Sequence, residues 1–185
     1  MSAIVLAGGF SKRMGRDKAE LPLGGCSLIE LQVRKFRDLG VRDIMLSGYP
    51  KPLAGCRNIE DVYPHRGPVS GIHACLQAAE NEACFALSVD MPLLPEEVLL
   101  TLAEAHCGGI TVLEHGGKPE PLAAVYDRAL YPEAEKILHS ERTALMKMLD
   151  FAEVTRVPYT GDEFFLTNCN TPEEYEKIRA YWREP

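Results

Sequence analysis

The strongest constraint on how this chain folds is the alternation, over roughly its first hundred residues, of short apolar runs with amphipathic segments that carry helix-start signals. Ser2-Ala3-Ile4-Val5, Asp43-Ile44-Met45-Leu46-Ser47 and Ala83-Cys84-Phe85-Ala86-Leu87-Ser88-Val89 are largely continuous apolar runs of strand length. Strands of this kind are covered on both faces. After the first run, Ser27-Leu28-Ile29-Glu30 has the spacing of a capping box and predicts a helix from about Leu28. Ile29, Val33 and Phe36 line one face of that helix, charged residues fill the opposite face, and Gly40 closes it. A short strand over Asn58-Ile59-Glu60-Asp61 precedes Pro68, which suits the first turn of a helix over about Val69 to Ala79. Pro95 and Glu96 open another helix, to His106, after the third run. Three strand–helix units in order predict an α/β fold, with a mainly parallel twisted sheet, right-handed crossovers and helices on both faces.

The second half is less regular. Strands over Gly109–His115 and Leu122–Tyr126 flank Gly116-Gly117-Lys118-Pro119 and read as a hairpin-like excursion. Helices near Ala129–His139 and Thr143–Leu149, a strand near Val154–Val157 and a short strand over Phe164-Phe165-Leu166 follow. Thr171-Pro172-Glu173-Glu174 then begins a final amphipathic helix, with Thr at the cap, Pro inside and Glu early against the dipole. No internal repeat interrupts the chain, and 185 residues favour one domain, 1–185.

Charge and cysteine usage narrow the function. The formal net charge of -7 argues against non-specific binding to nucleic acid or to a membrane surface, both of which favour a broad basic face. No apolar run approaches the ~20 residues that cross a bilayer, and no basic segment precedes a hydrophobic one at the N-terminus, so a cytoplasmic location is expected. The six cysteines show no C-x-x-C pair and the five histidines no ligand spacing, which points to reduced, structural thiols. No nucleophile–base pair suggests covalent catalysis.

Against this acidic background, Leu6-Ala7-Gly8-Gly9-Phe10-Ser11-Lys12-Arg13-Met14-Gly15-Arg16-Asp17-Lys18 carries four cationic side chains and one carboxylate. It follows the first strand directly, and open α/β sheets bind ligands at the carboxyl ends of their strands. Glycines let backbone N–H groups approach phosphate oxygens, and Arg and Lys neutralise charge. The mixture suits a polyphosphate; a solvated basic loop is the simpler alternative. It is neither a P-loop, because five residues separate Gly9 from Gly15 and Arg16 follows, nor a G-x-G-x-x-G dinucleotide fingerprint.

Asp90, directly after the third apolar run, falls on the same sheet edge, where a carboxylate can hold Mg²⁺ beside phosphates. Asp61 ends the short strand before Pro64, and an Asp in either place also serves simply as a turn former. Asn168 and Asn170, at i and i+2, face the same way if extended, and Asx-turns are their alternative.

The thirteen residues from Leu6 to Lys18 resemble the signature L-A-G-G-x-S-x-R-M-G-x-D-K of the molybdenum cofactor guanylyltransferases. Asp90-Met91-Pro92 resembles that family's D-x-P segment, and Glu60-Asp61 with Gly67-Pro68-Val69-Ser70-Gly71-Ile72 its E-D-x-x-P and G-P-x-x-G-I runs. Pro121-Leu122-Ala123-Ala124-Val125-Tyr126 resembles P-L-x-A-V-Y and reads as a core strand, while Asn168-Cys169-Asn170-Thr171-Pro172-Glu173-Glu174 resembles N-x-N-T-P-E-E. The resemblance implies a three-layer Rossmann-like nucleotidyltransferase fold and transfer of GMP from Mg-GTP to molybdopterin, with release of pyrophosphate. It implies nucleotide binding by Leu6, Ala7, Gly8, Gly9, Arg13, Lys18, Asp61 and Asp90, with Arg13, Lys18 and Asp90 catalytic and Asp90 on Mg²⁺. Asn168 and Asn170 would bind molybdopterin, so that the C-terminal half completes a site begun by a GTP-binding N-terminal half. Gly67 and Gly71 would let backbone pass close to base or substrate. Ser47 stands where some members carry a nucleotide-binding Asn. Transient contact with molybdoenzymes or cofactor-delivery proteins fits the same reading. A cytidylyltransferase for the same cofactor, or another nucleoside-triphosphate transferase, is the nearest rival, although the cofactor cytidylyltransferases typically read L-A-A-G and D-Q-P where this chain has Gly8 and Met91. A catalytically idle nucleotide-binding or cofactor-carrying module is the rival from another class.

Overall fold

The computed structural model describes residues 1–8 and 17–183. In chain order the strands and helices are β1 (Ser2–Leu6), β2 (Pro22–Leu23), β3 (Cys26–Ser27), α1 (Leu28–Asp38), β4 (Asp43–Ser47), β5 (Arg57–Ile59), α2 (Pro68–Ala78) and β6 (Ala83–Ser88). They continue with α3 (Glu96–Ala105), β7 (Ile110–His115), β8 (Lys118–Asp127), α4 (Tyr131–Leu138), β9 (Val154–Pro158) and α5 (Pro172–Arg183). Seven strands form one sheet in the order β5-β4-β1-β6-β8-β7-β9, and β2 and β3 form a small separate hairpin. The pairs β5/β4, β4/β1, β1/β6 and β7/β9 are parallel, whereas β8 runs antiparallel to both of its neighbours.

Strand alternation builds the three layers. Ala3, Val5, Ile44, Leu46, Phe85 and Leu87 point to the face covered by α1, α3 and α5, while Ile4, Leu6, Met45, Cys84 and Ala86 point to the face covered by α2 and α4. Both sides of the central strands are therefore dry, as their unbroken apolar runs require. The expected mainly parallel α/β architecture with helices on both faces is the one observed.

Local signals act as their spacing predicts. The Ser27 Oγ accepts the Glu30 N–H, and the Glu30 carboxylate accepts the Ser27 N–H at 2.8 Å, closing the capping box of α1. Thr171 and Glu174 do the same for α5: Thr171 N–H donates to Glu174 Oε2 at 2.8 Å, and Glu174 N–H donates to Thr171 Oγ1 at 3.2 Å.

Three expectations are corrected. The β7–β8 hairpin is not an excursion, because β8 inserts between β6 and β7 in the main sheet. The Phe164–Leu166 segment is a 3₁₀ turn, Glu163–Leu166, because Asp162 caps it by accepting the Phe164 N–H at 2.9 Å. The rings of Phe164 and Phe165 pack on Tyr181 of α5. Leu145–Asp150 is likewise 3₁₀ and not α-helical.

Candidate active site

The carboxyl ends of β5, β4, β1 and β6 share one edge, and the sequence-predicted residues collect there. Leu6 ends β1, followed by buried Ala7 and exposed Gly8. Ala7 N–H donates to the Ser47 carbonyl at 2.9 Å, and Val89 N–H donates to the Leu6 carbonyl at 2.9 Å, so the β1, β4 and β6 exits are tied together. Gly9 and Arg13 lie outside the described residues. Asp90, half-buried, stands two residues beyond the end of β6.

The chain's far end closes on this edge. Cys169 N–H donates to the Asp90 carbonyl at 2.7 Å, and Lys18 Nζ donates to Asn170 Oδ1 at 2.5 Å. The end of the opening loop, the Asp90 turn and the Asn168–Asn170 segment thus meet, although Lys18 and Asn170 are 152 residues apart. Asn168 is half-buried in the same segment. The buried Cys169 thiol sits between these groups: burial pushes it up to about 11, Lys18 opposes the shift, and Asp90 adds to it.

Asp61 lies two residues beyond the end of β5, and the Ser47 Oγ donates to its carboxylate at 3.3 Å. Burial raises the Asp61 carboxyl above the ordinary range, and hydrogen bonds from Ser47 and Ser70 oppose the shift. Ser47 therefore orients Asp61. Gly71 faces inward: a Cβ there would stand 2.1 Å from Ser47 Oγ, so glycine is required for α2 to pack against the end of β4.

Two polar residues of α1 hold the Asp90 turn from beneath. Gln32 Nε2 donates to the carbonyls of Ser88 (3.0 Å) and Met91 (2.9 Å), and Lys35 Nζ donates to those of Pro92 (2.7 Å) and Leu94 (2.8 Å). Both side chains are buried. Burial pushes the Lys35 ammonium down to about 7, well below its ordinary 10.5, with Glu96 opposing the shift and Arg34 adding to it. Between those values the unfolded chain binds the extra proton, so folding stability rises with pH from about 7, by at most about 1.4 kcal/mol per pH unit. Above about pH 9 the trend reverses. The Cys84 thiol, pushed up to about 12, and that of Cys169 stay protonated only when folded. Urea denaturation from pH 6 to 10 checks this: Lys35→Met is less stable throughout but loses the rise between pH 7 and 9. An unchanged rise in that variant would assign it to other groups.

A second carboxylate lies on the far side of Asp90. Glu120 of β8 accepts the Leu122 N–H at 3.3 Å; burial raises its carboxyl above the ordinary range, and the nearby Asp90 charge adds to the shift. Cavities of about 370 Å³, between the β2–β3 hairpin and α5, and about 360 Å³, between α3 and the segment after β9, are lined by none of these residues.

The sequence model of the MobA-like NTP transferase domain matches residues 3–156. The chain belongs to the MobA-like NTP transferase family. It is accordingly a nucleotidyltransferase in fold and class. A probable molybdenum cofactor guanylyltransferase of Carboxydothermus hydrogenoformans is 34% identical over 189 residues, covering 96% of this chain and 94% of that protein. The crystal structure of molybdopterin-guanine dinucleotide biosynthesis protein A from Archaeoglobus fulgidus superposes with a TM-score of 0.80 at 25% identity, covering 98% of each chain. The 2-C-methyl-D-erythritol 4-phosphate cytidylyltransferase from Thermus thermophilus shares the fold, with a TM-score of 0.72 at 17% identity over 100% of each chain. Among the described residues, no helix is long and apolar enough to cross a membrane.

Proposed function

We propose that this member of the MobA-like NTP transferase family transfers GMP from GTP, with Mg²⁺, to the terminal phosphate of molybdopterin. A phosphate oxygen attacks the α-phosphorus, the bond to the β-phosphate oxygen breaks, and pyrophosphate leaves. The observation that carries the reading is the convergence of Lys18, Asp90 and Asn170 at the end of β1, in a chain 34% identical to a probable guanylyltransferase. Both reactants are anionic: two charges ~4 Å apart repel by about 4 kcal/mol at an effective dielectric near 20. Charge must be neutralised before the reactants align.

Lys18, steered by Asn170, supplies one fixed positive charge, and Arg13 of the same loop is assigned a second. Asp90 offers hard oxygen donors on a turn held by four side-chain hydrogen bonds from α1, which fits a divalent cation bound together with substrate phosphate. Such an ion supplies charge stabilisation on the phosphoryl oxygens and the leaving group. The attacking phosphate is already ionised, so no general base is needed. Leu6, Ala7, Gly8 and Gly9 are assigned to the triphosphate, Asp61 to the guanine nucleotide, and Asn168 with Asn170 to molybdopterin. A cytoplasmic setting and transient delivery to molybdoenzymes suit this role.

Purified protein incubated with molybdopterin, Mg²⁺ and either GTP or CTP, followed by mass spectrometry and a pyrophosphate assay, tests the reading. The expected products are the guanine dinucleotide and pyrophosphate, from GTP alone. A CMP adduct alone overturns the choice of base. In the idle-module alternative, GTP at 100 times its Kd still stabilises the fold by about 2.7 kcal/mol, but no pyrophosphate appears.

A further inference from the structure

We propose that Glu120 is the residue that reads the N–H edge of the acceptor's fused pyrimidinone ring, on the side of Asp90 away from β1. The proposal rests on the functional reading above and adds to it a specificity-determining residue that the sequence motifs did not single out.

Topology places the carboxylate. The last pair of the antiparallel β6/β8 ladder is Leu87 with Ala123, and continuing that register sets Asp90 opposite Glu120. Glu120 therefore lies at the site's edge, one strand beyond Asp90 in the order β4-β1-β6-β8. Leu6, Gly8, Ser47 and Asp61 all lie on the other side of β6. If the nucleotide fills the β5-β4-β1 side, the β8 side is left for the acceptor.

The mount is rigid. Against β7, the β8 register slips between Val112, which pairs with Ala124, and Leu113, which pairs with Glu120, so Pro121, Leu122 and Ala123 form a bulge. Bulges beside active sites re-aim side chains. Pro119 and Pro121 fix φ on both sides of Glu120, and a residue before proline is held extended. The fully buried Tyr126 hydroxyl donates to the Pro121 carbonyl at 2.8 Å, pinning the bulge from within the core. A half-buried carboxylate set this firmly is preorganised for a ligand with fixed donors.

Charge selects which end of the acceptor meets it. No cation lies in an ion pair with Glu120 among the described residues. Beside Asp90, Glu120 repels phosphate, so the phosphate end turns toward Lys18 and the ring end toward Glu120. A 2-amino-4-oxopyrimidine ring, as in a pterin, presents an exocyclic amine and a ring N–H side by side, which a carboxylate accepts as a pair.

The test uses the full chain and its Glu120→Gln variant, which keeps side-chain shape and an oxygen for the Leu122 N–H. Binding of free pterin is followed by its fluorescence, binding of Mg-GTP by calorimetry and GMP transfer by mass spectrometry. Pterin affinity and the KM for molybdopterin are expected to worsen at least tenfold in the variant, with Mg-GTP affinity changed less than twofold and circular dichroism unchanged. Equal pterin affinity in the two proteins overturns the proposal, as does absence of pterin binding by the natural chain. A loss confined to Mg-GTP overturns it too and moves Glu120 to the metal side. Failure of the natural chain to transfer GMP, with pterin binding still dependent on Glu120, sinks the activity and leaves the ring contact standing.

Discussion

Replacing Asp90 by Asn lowers turnover about a thousandfold, or about 4 kcal/mol in transition-state stabilisation, while leaving the fold intact. The separation follows from which atoms of Asp90 do what. Its main chain carries the structural contacts: the carbonyl accepts the Cys169 N–H at 2.7 Å, and the N–H donates to Ser88 Oγ at 3.5 Å. Asn keeps both. The carboxylate supplies charge at the phosphate edge, and an amide does not hold Mg²⁺ beside a triphosphate as a carboxylate does. A half-buried substitution that breaks no packing costs about 0.5 kcal/mol, so the melting temperature should move by no more than about 2 °C. Steady-state kinetics over a Mg²⁺ titration, with thermal melts of both proteins, checks the split. Full Mg²⁺-dependent turnover by the variant would remove the metal from Asp90.

Asp90 was legible because its signal is local and its consequence topological. A carboxylate after an unbroken apolar run belongs at the carboxyl edge of a parallel sheet, and that edge gathers every such residue. The capping box at Ser27 and the cap at Thr171 were legible for the same reason, since each rests on residues close together in the chain. What escaped depends on pairing between distant segments. Glu120 reaches the site only because β8 inserts antiparallel between β6 and β7 and bulges there, and nothing within Lys118–Asp127 announces its neighbours. The closely spaced prolines around Glu120 were the one available hint of a rigid mount.

Gln32 and Lys35 show a different limit. Helical periodicity assigns Ile29, Val33 and Phe36 to the core and leaves the flanking polar positions to solvent. The turn from Ser88 to Leu94 covers that flank and presents four carbonyls that need donors, so polarity at these two positions records a buried partner, not exposure. Ser47 was ambiguous likewise. Some family members carry a nucleotide-binding Asn at this position, which left the role of Ser47 open, and the structure turns its hydroxyl onto Asp61.

Gly48→Ala should lower kcat/KM for GTP by at least tenfold, with most of the loss in KM. Gly48 has φ +73°, and a Cβ there would stand 2.4 Å from the Gly8 Cα and 2.6 Å from the Gly8 nitrogen. Backbone atoms cannot swing aside as a flexible side chain can, so Gly8 must lift away from the end of β4. That displaces the N–H groups assigned to the triphosphate, and misplacement by about 1 Å can cost a hundredfold. The left-handed backbone adds about 1–2 kcal/mol of its own for any residue with a Cβ. Gly40→Ala separates the two effects. Gly40 has φ +77° with nothing within 4 Å of the added carbon, so this variant bears the backbone penalty alone. Both variants should lose stability in urea denaturation, Gly48→Ala by more, and only Gly48→Ala should raise the KM for GTP. Matching KM values would show that the approach of Gly48 to Gly8 serves folding alone, and would release Gly8 from its assigned place at the triphosphate.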